Sequence, residues 1–171
     1  MGGDKLVPAA VGHAVEGAEE AYGREFARFH DELTLLPGAR QLVARLVEGG
    51  FAVVLASSAR EEDLEVFRDL LDVDDLLTGA TSSGDAEDSK PDAEILEVAM
   101  ARHGLDAEHT VVIGDTVWDG LAAQRAGIRF VAVETGGNPH DALVGAGARR
   151  VYADVAAVAA DLDDGPPADL E

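Results

Sequence analysis

The stretch Thr110–Asp119, Thr-Val-Val-Ile-Gly-Asp-Thr-Val-Trp-Asp, runs from β-branched residues into two carboxylates. Val111 to Ile113 read as a buried strand, Gly114 breaks it, and Thr116 can cap a helix starting near Val117. In parallel α/β sheets, ligands bind at the carboxyl ends of strands. Asp115 therefore projects where a site would be. Asp119 lies one turn into the following helix, on the same side. Two carboxylates so placed suit a hard cation such as Mg²⁺, usually held by one or two carboxylates with phosphate and water. The same residues also fit a simpler arrangement, with Thr116 and Asp119 as a capping box and Asp115 as a loop acid.

Two more positions could carry chemistry. The apolar run Phe51–Ala56 ends in Ser57-Ser58-Ala59-Arg60-Glu61. Ser58 and Glu61 have the S-x-x-E spacing of a capping box. That leaves Ser57 at a strand end, beside a helix N-terminus whose free N–H groups favour an anion. A hydroxyl bonded to local backbone is the alternative. Lys90 precedes Pro91, and Pro favours the first helical position, so Lys90 is expected at an N-cap. A cation there opposes the helix dipole. Either an anionic ligand resolves that conflict, or Lys90 is exposed and neutralised by Asp88 and Asp92.

The elements that must position these residues follow from periodicity. Residues 7–32 carry Val11, Val15, Ala18, Ala21, Tyr22, Phe26 and Phe29 at helical spacing, which predicts one or two amphipathic helices. Pro37 is expected to open a helix with Leu42, Val43, Leu46 and Val47 inward, ended by Gly49-Gly50. Strands are expected at 51–56, 76–81, 110–113, 128–133 and 150–152. Helices should fill the intervals to about Leu71, over 91–103, to about Ala126, over 140–145 and over 155–162. This alternation predicts an α/β fold, a Rossmannoid parallel sheet with helices on both faces. Residues 1–32 fall outside it and read as the remnant of a helical accessory domain, 33–162 as the core, and 163–171 as an acidic flexible tail.

Composition narrows the partners. The chain has 171 residues and a net charge of −21, which argues against nucleic acid and anionic membranes. Its lysines are Lys5 and Lys90 alone, and it has no cysteine, hence no disulfide or thiolate chemistry. There is no run of 18 apolar residues to span a bilayer and no apolar signal region at Met-Gly-Gly-Asp-Lys. A soluble cytoplasmic protein is the expectation. The five histidines lack metal-ligand spacing, and no G-x-G-x-x-G follows a strand.

Taken in order, a strand ending in Ser57, a lone Lys90 before Pro-Asp, and a strand ending Gly-Asp-Thr-x-x-Asp resemble the later motifs of the haloacid dehalogenase (HAD) superfamily, in its phosphoglycolate-phosphatase-like branch. Leu-Leu-Pro-Gly-Ala-Arg at 35–40 and Val-Glu-Thr-Gly-Gly at 133–137 also look like that branch. The resemblance implies a Mg²⁺-dependent phosphatase acting on a small phosphorylated metabolite. By it, Asp115 and Asp119 would hold Mg²⁺, Ser57 would bond a phosphoryl oxygen, and Lys90 would neutralise phosphate and orient the nucleophile. The family's reaction passes through an aspartyl-phosphate that water hydrolyses. Residues 1–32 resemble half of the family's helical cap, and Lys5 is either a cap contact to the site or an exposed lysine.

The family's first motif, D-x-D-G-T at the end of a central strand, is absent from the sequence. Asp4, Asp72-Val73-Asp74, Asp161 and Asp163 all lack its context. The expectation is an N-terminally truncated member, with Met1 at an internal position of a longer protein. The chain alone is expected to be inactive and either unstable or aggregation-prone, with two inward strand edges unpaired. The alternative is a non-catalytic phosphate- and Mg²⁺-binding protein, or a subunit completed by another chain.

With 34 acidic against 13 basic side chains, self-repulsion opposes compaction. The melting temperature should therefore rise as salt screens these charges. A value unchanged between low and molar salt would refute this.

Overall fold

The computed structural model describes residues 3–86 and 88–162; the tail 163–171 lies outside them. Helices α1 (Gly3–Val11) and α2 (Ala18–Ala27) pack together and lead through a 3₁₀ turn at His30–Glu32. The alternating part follows as α3 (Ala39–Glu48), β1 (Val54–Ala56), α4 (Glu61–Leu71), β2 (Gly79–Thr81), α5 (Glu94–His103), β3 (Val111–Gly114), α6 (Val117–Ala126), β4 (Arg129–Val133), α7 (His140–Gly145), β5 (Ala148–Tyr152) and α8 (Val155–Asp161).

All strand pairs are parallel, as the alternation predicts, but they form two sheets. β1 pairs with β2, and β3, β4 and β5 make a second sheet in that order. Residues of β4 point alternately to two helical layers. Phe130 and Ala132 join Ile95 and Leu96 of α5, Ala122 and Ala123 of α6, and Leu143 of α7. Val133 joins Leu42 of α3 and Val158 and Ala159 of α8. Helices thus cover both faces, and β4, apolar from Phe130 to Val133, is buried on both over those residues. Among the described residues no helix is long and apolar enough to cross a membrane.

Several local expectations change. β1 and β3 read as buried strands, yet every residue in both is only partly buried. The reason is the gap between them, since among the described residues neither has a neighbour on its inward edge. Pro37 does not open α3; Gly38 is the N-cap, in the left-handed region at φ 85°. Ser58 and Glu61 form no capping box. Arg60 is the N-cap of α4, and Glu61 accepts from Ser82 Oγ at 2.5 Å. Lys90 is not an N-cap either, because α5 starts later with Ala93 at that position.

The segment 18–32 sits on α4. Phe26 meets Phe67 edge-on at 6.1 Å. Buried Asp63 accepts from Arg60 Nε at 2.9 Å and lies 2.9 Å from His30 Nε2, while Arg60 also donates to Gly23 O at 3.2 Å.

Gly38 tests the α3–α8 contact. A Cβ there would lie 2.7 Å from Ala156 Cα, on top of the cost of a positive φ. Gly50 has a similar φ of +86° and open space around it. Gly50→Ala should cost about 1–2 kcal/mol for backbone strain alone. Gly38→Ala should cost about 1–3 kcal/mol more for overpacking. Denaturant melts of the two variants compare these values directly, and equal losses would sink the packing argument.

Candidate active site

Lys90 is the hub. It lies on the loop between β2 and α5, buried, with its ammonium donating to Asp119 Oδ1 at 2.8 Å and to Ala56 O at 2.9 Å. Ala56 ends β1, and Asp119 lies in the first turn of α6, just past β3. One lysine therefore joins the carboxyl ends of strands from the two sheets. Asp88 and Asp92, the neighbours that could have neutralised it locally, pair instead with Lys5 of α1. Of the two readings of Lys90, the exposed lysine neutralised by Asp88 and Asp92 is therefore not the one realised, and the residue is buried.

The loop that carries Lys90 is tied down on three sides. Ser58 Oγ accepts from Lys90 N at 3.2 Å. Lys5 Nζ donates to Ser89 O at 2.8 Å and to the Asp92 carboxylate. Arg125 of α6 donates to Pro91 O at 2.7 Å and to Asp92 Oδ1 at 3.0 Å. Sequence reasoning missed Arg125 and Ser58 in these roles, because both partners lie more than thirty positions away along the chain.

Asp119 serves two ends. It forms the capping box with Thr116, whose N–H and Oγ–H both donate to Asp119 Oδ2, at 3.1 and 2.6 Å. Its other oxygen takes Lys90. The capping box and the ion pair thus coexist. Burial works against its charged form, but the Lys90 ammonium and the hydrogen bonds from Lys90 and Thr116 outweigh it, and the carboxyl is held below its usual range. Gly114 is required by closeness, since a Cβ there would lie 2.7 Å from Asp119 Cβ and Cγ.

Asp115 sits directly after β3. Thr135 Oγ1 donates to Asp115 Oδ2 at 3.3 Å, and among the described residues Asp115 has no ion pair. Thr135 was a further omission; it lies in the 133–137 stretch, next to Gly136, whose position allows the loop to approach the Asp115 backbone. Ser57, beside Ala56, donates its N–H to Thr81 O at 3.0 Å, and its Oγ accepts from Ala59 N at 3.1 Å. The local backbone bond is therefore present, and the hydroxyl proton is left to donate elsewhere. The acids weighed as nucleophiles are engaged away from this point. Asp74 accepts from Arg68 at 3.0 Å, Asp72 caps α4, and Asp161 accepts from Tyr152 Oη at 2.6 Å. Asp163 and the side chain of Asp4 lie outside what the structure describes.

The Lys90–Asp119 pair makes a pH prediction. A carboxyl with a lowered folded pKa adds stability above its unfolded value near 3.9 and loses it as pH falls through the folded value. Asp119→Ala leaves Lys90 buried without its anion and should cost about 3–5 kcal/mol at neutral pH. That loss should shrink as acid protonates Asp119 in the parent chain. Melts from pH 7 downward measure it, and a loss constant to pH 2 would contradict the ion-pair origin.

Comparison with known proteins agrees with this geometry. The model of the haloacid dehalogenase-like hydrolase family matches residues 11–133. The chain is 26% identical over 110 residues to (S)-2-haloacid dehalogenase 4A of Burkholderia cepacia, covering 64% of this chain and 48% of that protein. It is 28% identical over 126 residues to a phosphoglycolate phosphatase of Pseudomonas fluorescens, covering 74% and 45%. The crystal structure of a hydrolase from Pseudomonas syringae superposes with a TM-score of 0.84 at 25% identity, over 95% of this chain and 77% of that one. The chain spans about half the length of the curated relatives it matches. It belongs to the haloacid dehalogenase-like hydrolase family, with phosphoglycolate phosphatases among its relatives.

Proposed function

We propose that residues 1–171 supply the phosphate- and Mg²⁺-binding part of a phosphatase acting on a small phosphomonoester. The observation that carries this is the position of Lys90, whose ammonium lies 2.8 Å from Asp119 and 2.9 Å from the carbonyl that precedes Ser57. A cation, a hydroxyl and carboxylates meet where two parallel strands end, which is where such sheets bind ligands.

The donor set fits Mg²⁺. Asp115 and Asp119 are hard oxygen ligands, and among the described residues the side chain of Asp115 accepts only from the Thr135 hydroxyl. One or two carboxylates with water and substrate phosphate are the usual company of Mg²⁺. When bound, Mg²⁺ supplies charge neutralisation at the phosphate. Lys90 shares that task and fixes the orientation of an incoming carboxylate. Ser57 donates to a phosphoryl oxygen. Thr116 and Thr135 hold the two aspartates in place. Positioning and charge stabilisation of this kind supply most of the catalysis in phosphoryl transfer.

By the family's chemistry, a carboxylate oxygen bonds to phosphorus as the ester oxygen departs with a proton, and water then frees the phosphate. No acid within 1–171 has the first-motif context for that attack, so the nucleophile belongs to a strand outside these residues. The second reading, a protein that binds phosphate and Mg²⁺ without turnover, has the same observation in its favour.

Mg²⁺ should raise the melting temperature of the chain, by about 2.7 kcal/mol of stabilisation at about a hundred times its Kd. Asp115→Asn should abolish the shift, whereas Asp161→Asn should not. The chain alone should leave p-nitrophenyl phosphate intact. Absence of any Mg²⁺ shift would refute the metal assignment. Turnover that Asp115→Ala removes would place the nucleophile inside 1–171 after all.

A further inference from the structure

Asp115 and the first turn of α6 are gripped from outside their own segment, by the loop between β4 and α7. β3 and β4 are parallel neighbours in register at Gly114 and Ala132, so the loops that follow them leave the sheet side by side. Thr135 Oγ1 donates to Asp115 Oδ2 at 3.3 Å. Gly136 comes so close that a Cβ there would lie 2.2 Å from Asp115 O and 2.8 Å from Asp115 Cγ. Two residues on, Asn138 Oδ1 accepts from Val117 N at 2.7 Å.

That last bond answers a need of α6. The first N–H groups of a helix have no partner within it. Thr116 Oγ1 accepts from Asp119 N at 3.3 Å, which leaves the Val117 N–H to be met from elsewhere. Asn138 meets it with a neutral carbonyl oxygen on a short side chain. Val117 stands between Asp115 and Asp119, at the start of the helix. A shift at Val117 would change the angle at which α6 leaves β3, and with it the spacing of the two carboxylates.

Asn138 is itself held. Gly137 turns the chain in the left-handed region, at φ 73°. Pro139 disfavours helical backbone in the residue before it and so keeps Asn138 extended. Pro139 O accepts from Ala142 N at 3.0 Å and Leu143 N at 3.2 Å, so the loop runs straight into α7. Leu143 anchors that helix, fully buried in the core with Phe130 and Ala132 of β4. Across the ends of the loop, His140 Nδ1 lies 3.0 Å from Glu134 Oε1.

We propose that Asn138 is a positioning residue for the metal site. It acts through the Val117 N–H rather than on the ion itself. Its role is to hold Asp115 and Asp119 at the separation that one Mg²⁺ ion requires, while Thr135 orients the Asp115 carboxylate. Mg²⁺ demands near-octahedral geometry at about 2.0–2.1 Å, so a small displacement of one ligand is felt in affinity. Partners that orient metal ligands typically contribute about 10–100-fold in affinity. This role rests on the reading of Asp115 and Asp119 as Mg²⁺ ligands.

Calorimetric titration of the full chain with MgCl₂ tests it. Asn138→Ala should raise the Kd about tenfold or more. Asn138→Asp keeps the acceptor oxygen and should bind at least as tightly as the parent. Asn138→Gln keeps the amide but carries it one methylene further, so it should behave like the alanine variant, and it serves in its place if that variant fails to fold. Gly50→Ala loses stability far from the site and should leave the Kd unchanged. Without metal, hydrogen exchange at 116–119 should quicken in the alanine and glutamine variants and return to the parent's rate in Asn138→Asp. A parental Kd or unchanged exchange in the alanine and glutamine variants, an equal loss of affinity in Asn138→Asp, or an equal loss in Gly50→Ala would overturn the role of Asn138 and leave the Mg²⁺ reading in place. A parent chain with no Mg²⁺ affinity would remove the Mg²⁺ reading, and the role of Asn138 with it.

Discussion

The Lys90–Asp119 pair is the constraint on which the site and the two-sheet architecture both depend. A buried ammonium costs several kcal/mol of lost hydration, and only good geometry offsets that. Here a carboxylate at 2.8 Å and a carbonyl at 2.9 Å supply it, and they belong to opposite sides of the gap. The pair therefore adds little net stability but fixes geometry. Where Lys90 goes, the ends of β1 and α6 must follow.

That role explains how much structure is spent on one loop. Lys5, Arg125 and Ser58 hold residues 88–92 from three different elements. Asp92 accepts from both Lys5 and Arg125, so α1 and α6 share one carboxylate. Holding a cation within hydrogen-bonding reach of its target requires that its supporting atoms be fixed too. Through Lys5, the helical segment at the start of the chain contributes to this support. It packs on α4 as well, by way of Phe26, His30 and Asp63.

The sequence revealed the features that depend on local order. Apolar runs broken by glycine or serine located the strand ends, and with them Ser57, Asp115 and the Thr116–Asp119 cap. Partners that lie far apart along the chain stayed hidden. Ser58 and Glu61 had the spacing of a capping box, yet Lys90 N and Ser82 Oγ are their actual partners, which tertiary contact alone decides. Lys90 looked mismatched beside Pro91 because its anion is Asp119 and not a neighbour. The apolar strands β1 and β3 looked buried because pattern reports what a strand is suited to. Their exposure reflects what stands next to them.

Charge and the open gap are coupled in this molecule. Unguarded strand edges invite pairing between copies, and a net charge of −21 on each copy opposes that approach. Salt weakens both repulsions together. Within one chain, screening relieves the strain among acidic side chains and favours the compact state. Between chains, the same screening removes the barrier that keeps two apolar edges apart, and the Debye length falls to about 3 Å at molar salt. The range of conditions in which the chain is both compact and solitary is thus bounded on both sides.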